Sequence, residues 1–173
     1  VAQAAHVGKG TIYRYFEDKD DLFLQTATSG FAEMCELLRR EVPGDAPFEQ
    51  RLLGACQQIT GFFARRGALL RMMDAEAGRI GPGHLSLRQR WQRERKSLVM
   101  AVAEILREGA LAKRVRADLP PEILADYLLG MLRTRARDLA DAPEVHRRLE
   151  VVLELFIHGS AARPAGKRTT TKS

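Results

Sequence analysis

The sequence predicts an all-α protein, a partial helix-turn-helix at the N-terminus followed by a larger helical domain. Three observations predict it. Apolar residues recur three and four positions apart over several stretches of helical length. Clusters such as Pro43-Gly44 and Gly81-Pro82-Gly83 separate those stretches. The segment Ala4 to Phe23, AAHVGKGTIYRYFEDKDDLF, reads as the end of one short helix, a tight turn, a second short helix and the capped start of a third. With 173 residues the chain can bury a sizeable core. The division expected is 1–40 for the partial helix-turn-helix and its connecting helix, 41–160 for the larger helical domain, and 161–173 for a disordered basic tail.

On a helix from about Gly10 to Phe16, residues four apart share a face, so Ile12 and Phe16 point inward while Thr11, Arg14 and Tyr15 point away. Seven residues at ~1.5 Å each give a rod of about 10 Å, short enough for a major groove about 12 Å wide. Arg14 can pair bidentately with guanine, and Thr11 can offer a hydroxyl or a methyl to a base. Tyr13 and Tyr15 can donate to phosphate while packing on sugars. Gly10 lets the backbone come close to the duplex or to the preceding helix. Asp18 with Asp21 forms a capping pair for the next helix, whose free N–H groups attract phosphate, with Lys19 in the first turn. The plainer reading is a small helical hairpin on which Arg14 and Lys19 are solvated charges.

This segment resembles the helix-turn-helix of TetR-family transcriptional repressors. Val1, Ala2, Ala5, Val7, Lys9, Gly10, Thr11, Ile12, Tyr13, Tyr15, Phe16, Lys19 and Leu22 fall on the family's pattern without a gap. The resemblance implies that Lys9, Thr11, Tyr13 and Lys19 hold the DNA backbone and that Thr11, Arg14 and Tyr15 face bases. Two positions depart from the pattern. His6 stands at the turn where the family has glycine, and Gly8 replaces the Ser or Thr that caps the reading helix. The resemblance also implies a first helix upstream of Val1, so the sequence reads as a fragment of a longer protein whose DNA domain is incomplete, with weak or lost binding by the fragment alone.

After the motif, Phe23, Ala27, Phe31, Met34 and Leu38 give one amphipathic helix from Asp20 to about Val42. It leaves the reading unit without a break, which suits it to transmit movement; a plain strut fits the same pattern. Pro43, Gly44 and Pro47 end it. Phe48 to Arg66 forms the next helix, with Leu52, Leu53, Cys56, Ile59, Phe62 and Phe63 inward. A shorter helix spans about Ala68 to Arg79, and a long one runs from Leu85 to about Arg114. The charged run RQRWQRERK in its first half is a solvated face or, less simply, a second nucleic-acid patch around Trp91. Pro121 to about Asp141 carries Leu124, Tyr127, Leu128, Met131, Leu132 and Arg135 on one side.

The last helix is expected from about Pro143 to Ser160. At ~100° per residue its apolar positions, Val145, Leu149, Val151, Val152, Leu153, Leu155, Phe156 and Ile157, cover an arc of roughly 240°, more than one core needs. The surplus predicts packing within its own subunit and against a second copy in a C2 dimer. The alternative is a helix central to one bundle. The resemblance implies the dimer, through the last two helices of each chain.

Lys+Arg number 28 and Asp+Glu 22, a formal charge of +6, which suits a polyanionic partner. The only cysteines, Cys35 and Cys56, lie on separate helices and suggest packing thiols rather than a disulfide framework. No stretch approaches the ~20 apolar residues of a membrane span, so a cytoplasmic protein without membrane contact is expected. His6, His84, His146 and His158 have no metal spacing with the cysteines or each other. No phosphate loop, nucleophile elbow or acid/base pair appears, which argues against an enzyme and against a cofactor or metal.

The function expected is a homodimeric repressor that reads a palindromic double-stranded operator and leaves it when a small apolar or aromatic effector binds. Phe62, Phe63, Met72, Met73, Trp91, Met100 and Tyr127 are the candidate pocket walls, and core packing is their competing role. The alternative function is a helical homodimer that binds a small molecule or protein and no longer reads DNA.

Overall fold

The computed structural model describes residues 14–66 and 85–161. Among them are five α-helices: α1 (Lys19–Glu41), α2 (Phe48–Arg65), α3 (Leu85–Leu111), α4 (Pro121–Arg137) and α5 (Leu149–Ser160). The protein is all-α in architecture, its extended pairing among the described residues being an isolated bridge between Val115 and Ala161. The helix expected over residues 68–79, the tail beyond 161 and the N-terminal thirteen residues lie outside the described residues.

The apolar stripe of α1 is buried along its whole length: Phe23, Ala27, Phe31, Met34 and Leu38 all face the core. Arg39 and Arg40 complement the dipole in its last turn, and Pro43 bars a further turn after Val42. α2 runs back along α1, bringing Arg66 to within 2.6 Å of Glu33, while Val42 lies 3.7 Å from the Cβ position of Gly54. Leu52, Ala55, Cys56, Ile59, Phe62 and Phe63 are its buried residues. Leu53, expected inward, is 38% exposed: it sits beside the stripe, and Ala55 takes the interior place.

α3 runs in the same direction as α1, to which it packs most extensively, with Trp91 beside Phe31 near one end. A Cβ on Gly109 would stand 2.4 Å from the Phe48 ring, so the bare backbone there lets the start of α2 lie on the end of α3. α4 returns along α3, tied by Arg107–Glu122 at 2.8 Å and Arg95–Asp126 at 2.9 Å. It begins with Pro121 in the first turn and ends at Arg137, short of the expected Asp141, because the Asp138 and Leu139 N–H groups both turn back to the Thr134 carbonyl. Leu124, Ala125, Leu128 and Leu132 are buried, whereas Tyr127, expected on the same side, is 65% exposed.

The final helix also starts later than expected. Residues Glu144–His146 form a 3-10 turn, Arg148 is extended, and α5 begins at Leu149. The Arg135 Nε donates to the Arg147 carbonyl at 2.5 Å, which uses a backbone group that a continuous helix would need. At its other end α5 is clasped to the loop after α3: the Arg116 N–H donates to the Ser160 carbonyl at 2.7 Å. No described helix is long and apolar enough to cross a membrane.

Candidate nucleic-acid interface and ligand surfaces

Of the residues expected to meet DNA, Arg14, Tyr15 and Lys19 are described, and Lys9, Gly10, Thr11 and Tyr13 lie outside the described residues. Arg14 and Tyr15 form a turn rather than the last turn of a helix, and both side chains are exposed, Tyr15 to 74%. Phe16, expected inward, is half-buried.

The joint to α1 is built from two carboxylates. Asp18 is the N-cap, accepting from the Asp21 N–H at 2.8 Å. Asp21, almost fully buried, accepts from the Glu17 N–H at 2.9 Å and from the Gln25 side-chain amide at 2.7 Å. These bonds satisfy donors at the helix start and fix the angle at which Arg14 and Tyr15 leave it. Phe23 and Leu24, immediately after, are fully buried, so the joint is anchored in the core. The expectation that this helix end attracts phosphate through free N–H groups needs correcting. Asp18 already takes the Asp21 amide, and Asp20 and Asp21 add negative charge to the first turn. The Lys19 side chain in that first turn is exposed.

The candidate pocket walls do not converge on one cavity. Phe62 and Phe63 are buried on α2, ring edge to ring face at 6.3 Å, with the Arg66 guanidinium 5.6 Å above the Phe62 ring. Trp91 is half-buried on α3, 6.4 Å from Phe31. Met100 borders an open groove between α1 and α3, and Tyr127 borders a different one between α4 and α5. Met72 and Met73 lie outside the described residues. Sequence reasoning missed Thr28. It lies between Leu24 and Phe31 on the buried stripe of α1, a polar residue on an apolar face, which was the available signal. Its hydroxyl is buried without a hydrogen-bond partner, and so is the Trp91 indole N–H, in the α1–α3 seam that holds Phe31.

The α1–α3 groove has a volume of about 770 Å³, and the α4–α5 groove about 390 Å³. The latter combines Tyr127, Met131 and Leu155 with the buried Val152 at its base. On α5, Leu155 is 63% and Ile157 41% exposed. Cys35 and Cys56 are free, buried thiols; burial pushes both up, Cys56 to about 12. Among the described residues no three His, Cys, Asp or Glu side chains gather as a metal site would require.

The sequence family described as bacterial regulatory proteins of the tetR type matches residues 1–26. The chain is 32% identical over 151 residues to the HTH-type transcriptional repressor AcnR of Corynebacterium diphtheriae, covering 86% of this chain and 73% of that protein. It is 30% identical over 153 residues to the HTH-type transcriptional repressor Rv1474c of Mycobacterium tuberculosis, covering 88% and 75%. In fold it is similar to a regulatory protein of the tetR family from Rhodococcus RHA1, with a TM-score of 0.71 at 17% identity over 94% of this chain and 85% of that one. A helix-turn-helix regulator is the class these features define. The chain belongs to the TetR family of bacterial regulatory proteins.

Proposed function

We propose that the protein represses transcription as a homodimer on a palindromic operator, and that a small apolar or aromatic molecule in the helical domain releases it. The observation that carries this reading is the exposure of Arg14 and Tyr15 on a turn held at a fixed angle by Asp18 and Asp21. Side chains displayed at the end of a stiff, core-anchored helix suit base and phosphate contacts, with Lys9, Gly10, Thr11, Tyr13 and Lys19 completing the surface. Two relatives named as repressors support the sign of regulation.

In this reading residues 1–40 are the reading unit with its connecting helix, and 41–160 bind the effector and the partner subunit. The exposed Tyr127, Leu155 and Ile157 support a dimer through α4 and α5. The half-buried Trp91 and the unpaired polar atoms of Thr28 and Trp91 support an effector seated against α1, where occupation shifts the helix that carries the reading turn. The cytoplasm, where the operator is, is the place of action.

The test is a fluorescence-anisotropy titration of the full-length protein against its own upstream DNA and against a shuffled duplex. Preference for the native sequence by about a thousandfold or more is the specific outcome. Equal binding, or none, leaves a helical ligand-binding dimer that does not read DNA.

A further inference from the structure

The α1–α3 groove has a chemical character that the operator reading does not use. Its base is apolar: Leu38 and Val42 from α1 and Ile105 from α3 are almost fully buried beneath it, and Met100 forms an exposed wall. Its charge is one-sided. Arg39, Arg51, Arg93 and Lys96 line it, against the single carboxylate of Glu104, which already pairs with Arg107. Arg39 is engaged by Glu36 at 3.0 Å and Arg51 by Glu108. Neither Arg93 nor Lys96 has an ion pair to a described residue.

Position sorts these groups along the groove. Arg93, Lys96 and Met100 follow one another at helical spacing on one face of α3, and α1 runs alongside in the same direction. One end therefore carries Arg93 and Lys96, with Arg39 also lining the groove, and the apolar part, with Met100, Val42 and Ile105, lies beyond it, flanked by the paired Arg51 and Glu104. Arg93 and Lys96 also border a smaller concavity of about 380 Å³ with Gln89 and Gln92, which gives the cationic end a surround of further donors. Arg51 lies at the opposite end, where it is already paired with Glu108, so the head is drawn to Arg93 and Lys96.

We propose that this groove binds a small amphiphilic anion, a carboxylate or phosphate head held by Arg93 and Lys96 with a hydrocarbon body lying over Met100, Val42 and Ile105. A surface cation cluster without the apolar base would take any polyanion, and an apolar groove without the cations would take any oily molecule. The combination selects a molecule that carries both.

Titration of the full chain, without DNA, by decanoate, decanol and inorganic phosphate tests the site, using calorimetry and the fluorescence of the single tryptophan, Trp91. Leaving DNA out makes the outcome independent of the operator reading. Decanoate is expected to bind about tenfold or more tighter than decanol, and inorganic phosphate more weakly still. The double variant R93Q/K96Q, changed at two exposed positions, is expected to lose about tenfold for decanoate and nothing for decanol, while R88Q, outside the groove, binds as the parent chain does. Equal binding of decanoate and decanol, phosphate binding as tightly as decanoate, an R93Q/K96Q variant that binds decanoate unchanged, or no binding of any probe overturns the proposal.

Discussion

A lysine occupies the place where the end of α3 asks for glycine. The Lys113 N–H donates to Ala110 and the Arg114 N–H to Gly109, the bonding pattern of a Schellman motif, with Lys113 in the left-handed region at φ 56°. An L side chain there costs about 1–2 kcal/mol. Lys113→Gly is therefore expected to raise stability by about 1 kcal/mol in urea unfolding, and a loss of stability would contradict the assignment. Cys56 makes a separate prediction. Its unfolded thiol ionises near 9.0 and its folded thiol only near 12, because burial disfavours the thiolate. The contribution is complete below pH 9 and falls as pH rises from 9 to 12, by about 1 kcal/mol per pH unit. Unfolding curves of the parent chain and of Cys56→Ala should converge over that interval; a constant gap would mean that the thiol is not shielded. The left-handed residue was not legible beforehand, since no glycine marks it, whereas the burial of Cys56 follows from its inward place on α2, as its spacing implied.

At the scale of the elements, the helix period was read best on α1, with single slips at Leu53 of α2 and Tyr127 of α4. All five stripe positions of α1 are buried, and the Asp18–Asp21 pairing that starts it is the cap its spacing implied. Boundaries set by hydrogen bonds between elements were not readable. The last helix begins at Leu149 because Arg135 holds the Arg147 carbonyl, a contact twelve positions away that no local pattern encodes. The shorter α5 still leaves Leu155 exposed beside Tyr127 of α4, with Ile157 exposed on another side of the helix, so the surplus of apolar surface persists without Val145. A charge in the middle of that face should separate subunits with little effect on the protomer, because Leu155 is solvent-facing in it. Leu155→Glu is expected to halve the mass measured by light scattering while leaving the helical circular dichroism unchanged; an unaltered mass would place the interface elsewhere.

For the whole molecule, the direction of the helices matters more than their number. α1 links the exposed Arg14–Tyr15 turn to a groove near its far end, with the unpaired Thr28 and Trp91 atoms between. In the proposed function a molecule bound along this helix has a rigid route to Arg14 and Tyr15, and a few kcal/mol is enough to shift a dimer off DNA. The cap that starts α1 was legible because its contact is local, Asp18 and Asp21 lying three residues apart. The grooves were not: Met100 and Tyr127 carry the same chemistry in the sequence, and only the packing of α3 on α1 and of α5 on α4 assigns them to different surfaces. In the proposed function the turn that carries Arg14 and Tyr15 faces DNA bases, and the most direct measurement compares the full-length protein with its Arg14→Ala and Lys19→Ala variants on upstream DNA over a range of salt. Arg14→Ala is expected to relax base preference at one position of each half-site by about 1–3 kcal/mol, and Lys19→Ala to weaken all duplexes alike and lower the salt slope by about one. Unchanged preference and unchanged slope in both variants would contradict the claim.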